Sequence, residues 1–364
     1  MKEQKYKELQ LTPAQKIDEW ESVINNLLSS GEDIYIMGDT ETTGGVEKKS
    51  NTVRIYERDD KDFIGRAHRI LEIGFELFTK NKENGKLEPI KDKEGNAIFF
   101  HEYINFNRDD SEKKKRIKSI DTVPKSVLHV HNISIDFLNG VKPLNQNDPN
   151  SVKLNSPAPN FQEIIEPLMK TCGLLHDFNE DSGKVYSIFH NTDFDLKFLD
   201  FEFQNLKHPI YNTNLSPFQS FVVPLDTLRY FRDAMPEKEI KALREEINIE
   251  GRKNNPNWVD IKGVHAIDTL VKIFEEKKLL DNSDIDRTLH GARKDVIILS
   301  RVYNAFLDSE FYQKGLNKRI IENPSNEDIK NDIKKFVKSL KEKRNPLPKI
   351  KKNKEHFKYR SSCG

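Results

Sequence analysis

An α/β fold, a mixed sheet flanked by helices, is what this sequence predicts, and three observations carry the prediction. Apolar runs of strand length stand at 34–37, 70–78 and 185–189. Amphipathic segments of helix length, with apolar residues three and four apart, stand at 17–28, 161–169, 193–205, 263–277 and 288–307. Strands come first and helices interleave later, the order expected of a mixed sheet covered by helices.

The elements follow in order. Thr12-Pro13 opens the first helix, Ile17, Trp20, Val23, Ile24, Leu27 and Leu28 form its apolar face, and Ser29-Ser30-Gly31 stops it. The first strand lies at 33–38. The next, 70–78, ends in a turn rich in Lys, Asn and Gly and pairs with a strand at 97–106 as an extended β-hairpin. Helix 161–169 precedes the buried strand 185–189, which leads into helix 193–205. A short strand at 222–225 ends at Asp226 and gives way to a helix, and 263–277 and 288–307 are the last core helices. Stretches 44–68, 80–96, 108–118, 206–220 and 237–262 are polar or rich in Pro and Asn and read as loops or insertions. Loops of this length in a compact domain are either functional or disordered. No internal repeat is visible. The chain divides into an opening helix (1–31), a long core domain (32–310) and a basic C-terminal extension (311–364).

Composition sets the bounds on function. The 364 residues suffice for a sizeable core, and the 35% hydrophobic and 33% charged fractions fit a soluble protein with many solvated loops. The formal net charge of +1 hides an asymmetry, because residues 331–364 carry nine excess positive charges and the rest is mildly acidic. No apolar run approaches the ~18 residues of a membrane span, and the N-terminus lacks the apolar core of a signal peptide. Cys172 and Cys363 are too few and too far apart for a disulfide framework. A cytoplasmic protein without a membrane partner is the expectation.

Three acidic clusters carry the chemistry. Asp39-Thr40-Glu41-Thr42-Thr43-Gly44 follows the first apolar run, and alternation along a strand puts Asp39 and Glu41 on one face. His190-Asn191-Thr192-Asp193-Phe194-Asp195 follows the second buried run, and His290-Gly291-Ala292-Arg293-Lys294-Asp295 opens the last amphipathic helix. Each alone has an ordinary explanation: a solvated turn, a helix N-terminal charge, a core histidine. Together they supply what phosphodiester cleavage needs. Two metal ions about 4 Å apart can deprotonate water, stabilise charge on phosphate and assist the departing 3′ oxygen. Hard cations take oxygen ligands, which suits Asp39, Glu41, Asp195 and Asp295. His290, five residues before Asp295, can overhang that site as a general base, since imidazole titrates near working pH. The joint pattern reads as a metal-dependent 3′→5′ exonuclease.

These residues resemble motifs I, II and III of the DEDDh exonucleases, a class of the ribonuclease-H-like superfamily, and most closely the proofreading branch that serves bacterial replicative polymerases. Asp39 to Gly44 matches motif I, and Leu71-Glu72-Ile73-Gly74 matches the class's second strand. His190-Asn191 with Phe194-Asp195 and Phe198-Leu199 matches motif II. Arg287-Thr288-Leu289-His290-Gly291-Ala292 with Asp295 matches motif III. Val130-His131-Asn132-Ile133 resembles the segment before the first core helix, and Leu225-Asp226-Thr227 the strand end between motifs II and III. The similarity covers roughly 33–308.

The resemblance implies a ribonuclease-H-like mixed five-stranded sheet flanked by helices, with insertions and a basic C-terminal tail. It implies two divalent metal ions, Mg²⁺ or Mn²⁺, held by Asp39, Glu41, Asp195 and Asp295, with His290 activating water. Thr40, Thr42 and Thr43 would lie against the terminal nucleotide, with His131 and Phe194 as further substrate contacts and Asp226 orienting the site or capping a helix. The inserts after Gly44, at 80–96 and at 237–262, exceed the class pattern and leave the substrate open.

The implied substrate is a nucleic-acid 3′ end, single-stranded DNA first, with DNA replication and proofreading as the setting. The alternatives are an RNA 3′-end-trimming exoribonuclease with the same metal site, and a non-catalytic nucleic-acid-binding protein on this fold. RNA selection requires a contact to the 2′-hydroxyl that motifs do not reveal. From Lys334 to Arg360 the chain is dense in Lys and Arg, with Phe357 and Tyr359 interleaved, a composition that suits either phosphate binding with base stacking or a solvated tail. A replicative polymerase or a sliding clamp stands as a candidate partner. Gln313-Lys314-Gly315-Leu316 faintly resembles a clamp-binding peptide but lacks the apolar residue after the leucine, and the tail does not resemble the polymerase-docking segment.

Overall fold

The computed structural model describes residues 11–44, 56–57, 66–109, 122–146, 148, 151–204, 206, 218, 222–254, 263–281 and 291–312. The described residues all belong to one compact unit, which spans Met1–Gly315. His290 with the three residues before it, the segment 313–316, the basic tail, Cys363 and most of the insertions at 45–68, 108–118 and 206–220 lie outside the described residues.

A 3₁₀ turn (Ala14–Lys16) leads into α1 (Ile17–Ser29) and β1 (Ile34–Thr42). β2 (Tyr56–Glu57) and β3 (Arg66–Ala67) pair with each other as a separate two-stranded ladder. β4 (Ile70–Lys80), β5 (Leu87–Pro89) and β6 (Phe99–Tyr103) follow, then the short helices α2 (Lys125–His131) and α3 (Ile135–Leu138), and α4 (Phe161–Thr171). The second half runs β7 (Val185–Phe189), α5 (Thr192–Gln204), β8 (Val222–Asp226), α6 (Thr227–Ala234), α7 (Glu237–Asn254), α8 (Ile267–Glu276) and α9 (Ala292–Leu307).

The main sheet has the order β5-β4-β1-β7-β8, with β6 also on β4. β1 is central, antiparallel to β4 and parallel to β7, and β7 is parallel to β8. β5 pairs with Phe78 to Lys80 of β4, whereas β6 pairs with Glu72 to Glu76 of the same strand. The sheet is therefore six-stranded where five were predicted, because two short strands share one edge of the long β4.

Both faces of the sheet are covered, which explains the unbroken apolar runs. Ile34 and Ile36 of β1, with Ile73, Phe75 and Phe189, face the largest core. That core takes in Trp20, Ile24 and Leu28 of α1 and Phe161, Ile164 and Leu168 of α4, so the opening helix is built into the same core as the sheet. At about 1.5–3 kcal/mol for each fully buried large apolar side chain, this face supplies much of the driving force for folding. On the other face Met37, Phe78 and Ile188 meet Val296 and Leu299 of α9.

A separate apolar cluster joins Phe231 of α6, Ile240 of α7, Leu270 and Phe274 of α8, and Val302 and Phe306 of α9. It corrects the reading of 237–262 as a loop: residues 237–254 form an 18-residue helix. Ile240, Leu243 and Ile247, three and four apart, make a stripe narrow enough to be hidden among Lys and Glu. The stretch 80–96 likewise carries β5 and a bridge from Lys91 to Ala97 in place of an open loop.

Candidate active site

The site is built at the end of β1. With Tyr35 and Met37 turned toward α9 and Ile34 and Ile36 toward the larger core, alternation carries Asp39 and Glu41 to the α9 side and Thr40 to the other. Asp295, in the first turn of α9, comes to meet them. One carboxylate oxygen each from Asp39, Glu41 and Asp295 all lie within 4.8 Å of one another. Gly74 of β4 makes the approach possible, since a β-carbon there would stand 2.6 Å from Ala292 C and Arg293 N.

Asp195 arrives from the opposite side of the sheet, in the first turn of α5. Thr40 donates to its Oδ1 twice, from the backbone N–H at 3.0 Å and from the hydroxyl at 2.8 Å. The carboxyl group of Asp39 is held well above the usual carboxylate range by burial, and then by the charges of Asp195, Asp295, Glu41 and Glu72. Glu41 is raised by burial and by Glu72, Asp295 and Asp195. Burial pushes Asp195 up to about 7 against the lowering effect of the Thr40 hydrogen bonds. Carboxylates crowded in this way repel one another and call for compensating positive charge. An all-oxygen donor set of converging carboxylates fits hard divalent cations.

The turn that carries motif II is clasped by the β8–α6 junction. Asn191 adopts a left-handed conformation (φ 75°), and its N–H donates to Asp226 Oδ1 at 3.1 Å. The same oxygen accepts the Leu228 N–H at 3.0 Å, so Asp226 caps α6 and orients the turn, as the sequence suggested. His190 donates through Nε2 to the His265 carbonyl at 2.8 Å and lies 3.2 Å from the Thr227 hydroxyl through Nδ1. Burial lowers its pKa to about 4.

The remaining predicted site residues have partners of their own. Thr42 Oγ1 donates to the Gly44 carbonyl at 2.7 Å, and Thr43 Oγ1 accepts the Arg69 N–H at 2.9 Å and lies 3.1 Å from His68 Nδ1. With the Asp195 bond of Thr40, all three threonine hydroxyls serve to build the loop. His131 is buried beneath it: Nδ1 accepts the Ile133 N–H at 3.0 Å, which leaves the proton on Nε2, 3.3 Å from the Thr42 carbonyl. Phe194 packs on Phe198 with ring centroids 5.0 Å apart and stays partly exposed. His290 lies outside the described residues.

Sequence reasoning missed several buried polar groups around the site, Glu72 and Arg69 among them. Glu72, opposite Glu41 in the β1–β4 register, lies 2.7 Å from His101 Nε2. Arg69, fully buried, binds Glu202 through Nε at 2.6 Å and Nη2 at 2.8 Å, and Asp109 through Nη1 at 2.8 Å, tying β4 to α5. The signal was present in both cases, as a charged residue inside an apolar strand run or just before it, but its partner was distant in sequence.

No family model matches the chain. The DNA polymerase III subunit epsilon of Rickettsia prowazekii (strain Madrid E) is 26% identical over 239 residues, 66% of this chain and 66% of that protein. The DNA polymerase III subunit epsilon of Haemophilus influenzae is 26% identical over 208 residues, 53% of this chain and 62% of that protein. The chain is similar to DNA polymerase III epsilon subunits. It spans just under two thirds of the length of these curated relatives. Among solved structures, a 3′-exonuclease recognising a histone mRNA stem-loop covers 77% of this chain and 83% of its own at 13% identity and a TM-score of 0.37. The nuclease domain of 3′hExo, a DEDDh family member bound to rAMP, covers 77% of this chain and 94% of its own at 15% identity and a TM-score of 0.34. The resemblance read from the motifs thus agrees with the sequence relatives.

Proposed function

We propose that this chain is a DEDDh-type 3′→5′ exonuclease that removes nucleotides from single-stranded or frayed DNA ends, with its catalytic domain at 32–310. The observation that carries the reading is the convergence of Asp39, Glu41 and Asp295 within 4.8 Å, with Asp195 locked to Thr40 beside them. Residues far apart in sequence are brought to one point, and bound cations would relieve their mutual repulsion with the carboxylates ionised. Two divalent ions, Mg²⁺ or Mn²⁺, would supply charge stabilisation and an acidified water when bound there. Asp39, Glu41, Asp195 and Asp295 would hold them, and His290 would take the proton from water. Thr40, Thr42 and Thr43 would lie against the terminal nucleotide, with His131 and Phe194 as further contacts. Similarity to epsilon subunits supports DNA over RNA and a setting in replication, with a polymerase as the partner class.

The test is digestion of 5′-labelled single-stranded DNA, of matched and mismatched primer–templates, and of RNA of the same sequence, with Mg²⁺ and with EDTA. The expected result is a ladder shortening from the 3′ end of DNA, faster at a mismatch and absent with EDTA. Preference for RNA would move the assignment to RNA trimming. No cleavage of any substrate would leave a nucleic-acid-binding protein.

A further inference from the structure

Glu72 is an expensive residue to bury. It is 2% exposed, directly opposite Glu41 in the antiparallel β1–β4 pair, where like charges destabilise a sheet. An apolar residue would fill the place at lower cost. Two contacts show what the carboxylate is set against. On one side His101 Nε2 stands 2.7 Å from Oε1, and His101 itself is 1% exposed. The backbone of His101 is pinned in turn by Thr12, whose hydroxyl accepts the His101 N–H at 2.7 Å. On the other side is the start of α9: a β-carbon on Gly291 would lie 3.7 and 3.8 Å from the two Glu72 oxygens. Gly291 is the N-cap of α9 and provides no side-chain cap. The carboxylate therefore sits at the positive end of the helix, where the first-turn N–H groups lack intrahelical partners.

We propose that Glu72, held by His101, is a positioning residue of the metal site. It draws the first turn of α9 onto β4, and so sets the distance from Asp295 to Asp39 and Glu41. The inference rests on the metal site proposed above and adds to it a carboxylate outside the converging set. Gly74 lets the helix approach, and Glu72 would hold it there beside the Glu76–Arg293 ion pair, which at 2.6 Å ties the same strand to the first turn of α9. His101 fixes the Glu72 carboxylate, which has the start of α9 on one side and its like-charged register partner Glu41 on the other.

The experiment is Mn²⁺ titration by calorimetry on the full chain, with thermal melts to establish folding. Glu72→Gln should weaken Mn²⁺ binding by about 10–100-fold, the usual loss when a group that orients metal ligands is removed. That variant alone does not separate positioning from the loss of a negative charge. His101→Leu does, because it leaves the Glu72 charge in place. Positioning predicts weaker binding, by about tenfold or more, whereas a purely electrostatic role predicts binding unchanged or tighter. His101→Gln, which retains a donor, should recover most of the affinity, and His101→Leu should add nothing in a Glu72→Gln background. Should His101→Leu fail to fold, His101→Asn, polar but too short to reach Glu72, takes its place. Wild-type affinity in the His101 variant overturns the inference, provided Asp39→Asn still loses Mn²⁺. If the wild type itself takes up no Mn²⁺, or Asp39→Asn changes nothing, the proposed metal site falls and the inference falls with it.

Discussion

Replacing Gly74 with alanine adds one methyl group, outside the set of converging carboxylates, and should cripple cleavage. The new β-carbon would meet Ala292 C and Arg293 N at 2.6 Å and Ala292 O at 2.8 Å. Carbon atoms pack at about 3.5–4.0 Å, so the start of α9 must retreat by about 1 Å. The obstacle is helix backbone, which cannot swing aside as a side-chain tip would. Asp295 rides on that first turn, and a misplacement of about 1 Å costs about 10²-fold in rate. The overpacking itself should cost about 1–3 kcal/mol, which leaves a folded protein. The assay is the initial rate of 3′ shortening of 5′-labelled single-stranded DNA in Mn²⁺, beside a thermal melt. Gly95→Asn is the control, since no heavy atom lies within 4 Å of a β-carbon there and Asn tolerates its positive φ of 85°. A Gly74→Ala protein with the wild-type rate and melting temperature would refute the claim that this contact sets the Asp295 position.

Other outcomes follow from the same geometry. Asp39→Ala and Asp295→Ala should each abolish cleavage, yet melt no lower than wild type in EDTA, because each removes a carboxylate from a self-repelling cluster; normal turnover in either sinks the assignment of the site. His290→Ala should slow cleavage by about 10²–10⁴-fold if it is the general base, and a smaller loss in single-turnover assays would remove it from that role. Arg69→Met leaves Glu202 and Asp109 buried without their shared cation and should cost about 3–5 kcal/mol in urea unfolding; a change under about 1 kcal/mol would show that solvent reaches them. His190 is kept neutral in the fold, with its pKa lowered from 6.5 to about 4, so the unfolded chain binds the proton more readily. Its contribution is therefore intact above pH 6.5 and is lost as pH falls toward about 4, by at most about 3 kcal/mol. His190→Gln should flatten that acid limb, and an identical limb in the variant would show that another group produces it.

Much of the candidate site was legible without coordinates because its chemistry demands particular residue types at strand and helix ends. Asp39 and Glu41 share a face by the two-residue period of a strand, and Asp295 opens an amphipathic helix, so both local placements follow from short-range geometry. For Asp226 the resemblance left site orientation and helix capping open, and the fold shows it capping α6. The second apolar cluster, under α6 to α9, was not legible. Helix α7 was hidden because a stripe of Ile240, Leu243 and Ile247 among many charges differs little from a polar loop. Pairing of β5 and β6 along one edge of β4 depends on turn geometry between them, which propensity does not specify.

The sequence by itself determined the identity and order of Asp39, Glu41, Asp195 and Asp295, on which the proposed chemistry rests, and the buried character of the strand and the helix first turns that carry them. Tertiary structure decided which groups surround those four. Thr40 turns its hydroxyl to Asp195 across 155 residues, Glu72 meets His101 one strand away, and Gly74 lies under α9. Such contacts join residues distant in the chain, and their energies depend on separations of tenths of an ångström that only the packed fold sets.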